Sequence, residues 1–220
     1  GGALGANTNW TAAASPYYVT SSISTGPGSI LAIEAGTTVY FATNASLTIG
    51  GRLLVNGTEQ NRVRFTGPPG AGTTNSWPGL VIRNTAQTNI LSFVDFEFAG
   101  TTNRSLRVES AILILNSCTF SGTTRPYLEL TNAAFGIYHC EFASLPGSTM
   151  IQGNRIRANG FAIIQGCRFG TTGGLNDIID FTGGQRPGPI LQILDNVFTG
   201  ASDDHLELRV AVGEHGGQGV

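Results

Sequence analysis

Five short stretches of the chain share one pattern: FVDFEFAG (93–100), NSCTFSG (116–122), YHCEFAS (138–144), QGCRFG (165–170) and DNVFTG (195–200). Their aligned phenylalanines, Phe96, Phe120, Phe142, Phe169 and Phe198, are 22 to 29 residues apart. Apolar alternations between Gly, Asn, Thr and Pro clusters indicate short β-strands, and helical periodicity is hard to find. A repeat of this length predicts one coil of a parallel β-solenoid, because a propeller blade needs about 40 residues or more.

The composition excludes several classes of function. The 220 residues are 40% hydrophobic and 12% charged, which is enough apolar material for one substantial core. The net charge is -2 and no basic run occurs, so no nucleic-acid partner is expected. Lysine is absent, which excludes a Schiff-base or phosphate-loop lysine. No run of about 18 apolar residues occurs, so no membrane insertion is expected.

The residue two positions before each phenylalanine shares its strand face, because side chains alternate with a period of two. This predicts an inward column of Val94, Cys118, Cys140, Cys167 and Asn196. The cysteine count is odd and lacks the CxxC spacing of a zinc site. Free, packed thiols are therefore predicted, and a disulfide between adjacent coils is the alternative.

The intervening residues are predicted to face outward. One outward column places Glu141 beside Arg168 on neighbouring coils, as a surface pair. A second column is predicted through Arg107, Glu129, Arg157, Asp180 and Glu207. Its charges alternate until the last two coils, where we expect Asp180 to meet Glu207 and Asp177 to meet Asp204.

We expect residues 1–208 to form one β-helix domain, with residues 1–30 as its N-terminal cap region. Residues 209–220, RVAVGEHGGQGV, form a Gly-rich atypical tail where another apolar coil would be expected, which suggests a truncation. Trp10, Tyr17 and Tyr18 are expected to cover the first coil rather than stack on sugar rings. Trp77 is expected to be a structural plug.

The stretches at 7–67 and 176–208 resemble the right-handed parallel β-helix repeat proteins of the pectate-lyase-like superfamily, particularly bacterial extracellular proteins in which such a module sits beside adhesion or anchoring modules. The resemblance implies a single-stranded right-handed parallel β-helix. It also implies an extracellular or cell-surface location in a bacterium, a polysaccharide partner and, in the enzymes of this fold, calcium.

The stretch SDDHLEL (202–208) and the preceding coil concentrate the acidic residues. Three interpretations stay open: a solvated polar edge, a calcium site and a catalytic site. Oxygen ligands suit calcium, and the metal ligands would be Asp177, Asp180 and Asp204. Paired carboxylates and an imidazole suit acid–base catalysis, and the catalytic residues would be Asp203, Asp204, His205 and Glu207.

The function predicted from these features is a module that engages polysaccharide, as a binding or display scaffold. One alternative is a polysaccharide lyase or glycoside hydrolase that uses the acidic residues. A second is a purely structural stalk. A solenoid whose last coil has no cap exposes backbone donors and acceptors, so end-to-end homo-oligomers are also expected.

Overall fold

The computed structural model describes residues 1–70, 74–102, 104–184, 186–201 and 203–209. It confirms an all-β parallel solenoid of about eight turns. Each coil contributes one strand to each of three parallel sheets, called A, B and C in the order in which the chain meets them. The described part of the chain contains no helix that is both long and apolar enough to cross a membrane.

Coils 1 to 4 consist of β1 (Gly2–Ala3), β2 (Asn7–Trp10), β3 (Tyr17–Val19); β4 (Ile23–Thr25), β5 (Ile30–Glu34), β6 (Thr38–Phe41); β7 (Leu47–Ile49), β8 (Arg52–Asn56), β9 (Val63–Thr66); and β10 (Leu80–Arg83), β11 (Thr88–Ser92), β12 (Val94–Glu97). Coils 5 to 8 consist of β13 (Leu106–Glu109), β14 (Ile112–Asn116), β15 (Thr119–Ser121); β16 (Leu128–Tyr138), which runs through sheets A and B, and β17 (Glu141–Phe142); β18 (Ile151–Ile156), β19 (Ala162–Gln165), β20 (Arg168–Thr171); and β21 (Ile179–Thr182), β22 (Leu191–Leu194), β23 (Val197–Gly200). A ninth coil begins with β24 (Leu206–Arg209), and a 3-10 turn spans Ala12–Ala14.

The predicted phenylalanine column lies inside sheet C. Each ring from Phe96 to Phe198 stacks on the next, with centroids 4.8 to 5.0 Å apart and ring planes within 2 to 8°. The stacking distance matches the spacing of neighbouring parallel strands, so the phenylalanine rings repeat one orientation from coil to coil. The column fixes the register of sheet C, because slipping one residue would turn every ring outward.

In coils 4 to 8, a single residue in the left-handed conformation forms the corner between sheet B and sheet C. The five corner residues are Phe93, Ser117, His139, Gly166 and Asp195, with φ between 51° and 66°. Only one of them is glycine. Each of the first four donates its backbone N–H to a carbonyl one coil onward, at 2.8 to 3.0 Å. These hydrogen bonds offset the strain of the corner and align neighbouring coils.

The three cysteines are free and fully buried beside the phenylalanine column, which confirms the prediction of packed thiols. Burial raises the pKa of Cys140 well above its ordinary value. Asn196 continues the column differently, because its amide bonds to backbone atoms of Cys167 and Ile164 at 2.8 and 2.9 Å.

The predicted outward column of sheet A is wrong at one residue. Gln152, not Arg157, lies between Glu129 and Asp180. The inward residue next to Gln152 is Gly153, so β18 lacks the alternation of apolar and polar residues that the other strands show. The ring of Phe181 fills the space, since a Cβ at Gly153 would lie 2.1 Å from its Cδ2.

The aromatic residues near the N-terminus divide between the two sides of the sheet. Trp10 is buried and stacks on Tyr17 with centroids 5.1 Å apart, in agreement with the prediction. Tyr18 is 61% exposed, so the prediction that it covers the first coil is wrong. Trp77 is fully buried, stacks on Phe41 at 4.2 Å and donates Nε1–H to the Glu97 carbonyl at 2.8 Å, so it is a structural plug.

We predict that Gly153→Ala destabilises the solenoid, because the new methyl group must displace the Phe181 ring. Overpacking of this kind costs about 1 to 3 kcal/mol, which lowers the melting temperature of a chain of this size by roughly 3 to 10 °C. Gly147→Ala is the matched control, because a Cβ there has no neighbour within 4 Å. Equal melting temperatures for the two variants would contradict the proposed packing of Phe181.

Candidate functional site

The acidic residues of the last coils lie close together, as the alignment predicted. Asp180 and Glu207 are register partners on β21 and β24. Asp177 is buried, accepts the backbone N–H of Asp204 and shares a hydrogen bond with the side chain of Glu207. A hydrogen bond between two carboxyl groups requires a proton on one of them, and this favours the protonated form of Asp177.

Asp177 has a raised pKa of about 6. Burial is the largest cause, followed by the hydrogen bond to Glu207 and by the negative charges of Glu207 and Asp203. The Asp204 N–H opposes the shift, because it favours the ionised form. Asp177 therefore changes charge near neutral pH.

The other predicted residues are more open. Asp203, Asp204 and His205 are exposed, and the imidazole lies edge-on to Phe198 with ring centroids 6.0 Å apart. Within the described ranges, no group of three or more His, Cys, Asp or Glu side chains is arranged to hold a metal ion. The metal role of Asp177, Asp180 and Asp204 and the catalytic role of Asp203, Asp204, His205 and Glu207 stay predictions. Ser202 and residues 210–220 lie outside the described residues.

We predict that Asp177→Asn makes stability less dependent on pH. The folded pKa exceeds the ordinary value of 3.8, so the native state binds this proton more tightly than the unfolded chain. The resulting stabilisation is complete below about pH 4 and is lost as the pH rises through about 6. The variant should therefore melt a few degrees higher than the wild type at pH 7 and no higher at pH 4, as measured by circular dichroism.

Asp195→Asn is the control for that comparison, because Asp195 is an exposed carboxylate on the same coil. An identical gain in melting temperature for Asp177→Asn at pH 4 and pH 7 would show that the Asp177 proton does not contribute to stability.

A second candidate site runs along the outer face of sheet C and is called the sheet C trough. At its N-terminal end, Tyr18 and Tyr40 stack outside the solenoid with centroids 5.4 Å apart. Together with Pro68 and Pro69 they line an open, mainly apolar hollow of about 180 Å³. Two neighbouring tyrosine faces and two proline rings give this end of the trough a rigid apolar floor.

The next part of the trough adds charge to the same apolar wall. A hollow of about 270 Å³ shares Tyr40, Pro68 and Pro69 with the first and also reaches Arg64 and Phe98. The Arg64 guanidinium makes two hydrogen bonds to Glu97, at 2.6 and 3.3 Å, and these raise its pKa. This pairing fixes both side chains while Arg64 stays exposed to a ligand.

Further along, the trough carries two more charged residues. A hollow of about 290 Å³ is lined by residues of β15, β17, β20 and β23, including Thr119, Glu141 and Arg168. Glu141 and Arg168 are register partners, as predicted, but within the described part of the chain their side chains form no ion pair. Both are exposed and available for hydrogen bonds to a ligand.

Glu141 also borders a hollow of about 350 Å³ at the sheet B to sheet C corner, where Glu59, Arg62 and His139 lie. Arg62 is held there by Asp95 at 2.7 Å and by the Ser117 carbonyl at 2.8 Å. Thr119 donates its hydroxyl to the same Asp95 carboxylate at 2.7 Å. Asp95 is therefore satisfied within the protein, whereas Glu59, His139 and Glu141 face solvent.

The N-terminal part of the trough was not predicted from the sequence. Tyr40, Pro68, Pro69 and Phe98 were not candidate residues, although Tyr18 and Tyr40 occupy equivalent positions on successive strands, YYV and VYF. The spacing of 22 residues between these two tyrosines matches the coil repeat and was the available signal.

Comparisons with known proteins give no match: no protein-family model matches the chain, and no curated protein or solved structure does.

Proposed function

We propose that the protein is a polysaccharide-binding or display module and that the sheet C trough is its binding surface. The observation that carries the proposal is the outward-facing Tyr18–Tyr40 stack at the head of a row of hollows along sheet C, which are lined first by apolar residues and then also by charged and hydroxyl-bearing residues. An extracellular or cell-surface location in a bacterium belongs to the same proposal.

The chemistry of the trough suits sugars in two ways. The carbon-bound hydrogens of a pyranose ring form an apolar face, which packs on an aromatic ring such as that of Tyr18 or Tyr40. The hydroxyl groups at the ring edge both donate and accept hydrogen bonds, which Glu141, Arg168 and Arg64 can satisfy. Exposed aromatic side chains beside fixed polar groups combine both requirements.

The length of the trough favours a polymer over a single sugar. It extends from Tyr18 on coil 1 to Thr199 on coil 8, and eight strands about 4.8 Å apart cover about 34 Å. The hollows are open rather than enclosed, so a polymer can approach this face from solvent. A surface of this form supports binding along the polymer, which is the role of a binding or display scaffold.

We predict that Tyr18→Ala and Tyr40→Ala each weaken polysaccharide binding by roughly five- to tenfold, because each removes one aromatic stacking surface. Affinity electrophoresis in gels that contain a panel of neutral and acidic polysaccharides measures the loss. Leu175→Ala is the control, because Leu175 is a highly exposed apolar side chain that lines neither the trough nor the outer face of sheet B.

Three results would count against the proposal. The wild type could bind no polysaccharide of the panel, which would favour a structural stalk. Equal losses for the Leu175 and Tyr40 variants would remove the trough as the binding surface. New reducing ends or unsaturated products in the same mixtures would favour the alternative of a hydrolase or lyase.

A further inference from the structure

The outer face of sheet B carries an apolar column that belongs neither to the acidic site of the last coils nor to the sheet C trough. Six residues on successive strands stack in register along coils 2 to 7: Ala32, Leu54, Ile90, Ile114, Gly136 and Ile163. All face away from the core. The ring of Tyr138 lies over Gly136, since a Cβ there would be 2.5 Å from its Cε2, so the column stays apolar at that coil.

The columns on either side are almost free of charge. A polar row of Asn56, Ser92, Asn116, Tyr138 and Gln165 follows one side. At the outward positions of coils 2 to 7 of this sheet, all of them described, the charged residues are Glu34 and Arg52. Glu34 accepts hydrogen bonds from Asn9 and from the backbone N–H of Ala12, at 2.9 and 3.2 Å, and Arg52 donates to the Thr88 carbonyl at 3.2 Å.

We propose that this face, called the sheet B strip, is the contact surface between two copies of the chain. The strip runs through six coils in continuous register, and its chemistry is complementary to itself. In an antiparallel arrangement with two-fold symmetry, the apolar column meets the apolar column and the polar row meets the polar row. Ile114 then lies against Ile90 of the second copy, at the centre of the contact.

The outer face of sheet B carries fewer charged residues than the outer faces of sheets A and C, which favours it for self-association. The outer face of sheet A carries Arg107, Glu129 and Asp180, and that of sheet C carries Arg64, Glu141 and Arg168. Burying those groups would require desolvation of charge. The two charged residues of the strip, Glu34 and Arg52, lie on its first two coils and away from its centre, and each has neutral hydrogen-bond partners. A net charge of -2 leaves little long-range repulsion between copies.

The size of the strip sets the strength of the association. Six strands about 4.8 Å apart and three outward residues per strand give a patch of roughly 30 by 15 Å. Two copies would bury roughly 900 Å² in total, which is at the low end for specific interfaces. We therefore expect a weak, concentration-dependent dimer with a Kd between roughly 10 µM and 1 mM.

The dimer does not involve the sheet C trough. Sheets B and C are separate faces, so pairing through the strip leaves both troughs open. Two troughs on one particle would increase the avidity for a polymer with many sites. The association itself needs no sugar, so its test is independent of the proposed function.

Sedimentation equilibrium of the full chain between about 1 µM and 1 mM tests the proposal. The wild type should change from monomer to about half dimer or more over this range, whereas Ile114→Lys should stay monomeric, because a pair of lysines would be buried at the centre of the contact. Val197→Lys, which places the same charge at an exposed position of sheet C, should associate like the wild type. A wild type that remains monomeric at 1 mM, or equal association of the wild type and Ile114→Lys, would overturn the proposal.

A second variant keeps the test decisive if Ile114→Lys fails to fold. Ile114→Cys retains an apolar side chain and places one accessible thiol near its counterpart in the second copy, while the three native cysteines stay fully buried. Mild oxidation with diamide should cross-link Ile114→Cys into covalent dimers and leave Val197→Cys mostly monomeric. Equal cross-linking of the two variants would overturn the proposed contact.

Discussion

In-register stacking of each residue on its counterpart one coil away is the constraint on which the whole structure depends. It lets Phe96, Phe120, Phe142, Phe169 and Phe198 repeat one stacked geometry at 4.8 to 5.0 Å. The outer surface obeys the same constraint, because a residue that faces outward on one coil has an outward neighbour on the next. Columns of related residues therefore run along the faces. Charged residues follow one another on the later coils of sheet A, interrupted by Gln152, and apolar residues do so on coils 2 to 7 of sheet B.

How much of the fold the sequence could predict follows from this repetition. The phenylalanine and cysteine columns could be predicted because residue type and spacing recur together. The position of Gln152 was missed because glycine at 153 removed the apolar mark that identifies an inward residue. The error at Tyr18 had a simpler origin: Tyr17 and Tyr18 are consecutive on β3, so they face opposite sides of the sheet and cannot both cover the first coil.

The two candidate sites differed in predictability for a similar reason. The acidic residues of the last coils lie on or beside strands whose register could be read from the sequence, so their proximity was expected. The N-terminal hollows depend on the loop after β9, where Pro68 and Pro69 lie against Tyr40. Loop conformation has no periodic signal, and the non-glycine residues with positive φ at the corners, such as Phe93 and His139, are equally invisible in sequence.

The stacking that favours aromatic columns works against columns of one charge. On sheet A, Arg104 and Arg107 pair with Glu129 at 3.0 and 3.3 Å, so charge is compensated within two coils.

At the other end of the same sheet, Asp180 lies beside Glu207, and Asp177 adjoins Asp203 and Glu207. Burial is the main cause of the raised pKa of Asp177, and the charges of Glu207 and Asp203 add to it. Burial and the stacking of like charges together account for this pKa, so it does not by itself favour catalysis over a polar edge. On the trough the stacked charges are of opposite sign, and there Glu141 and Arg168 stay available to a ligand without any such penalty.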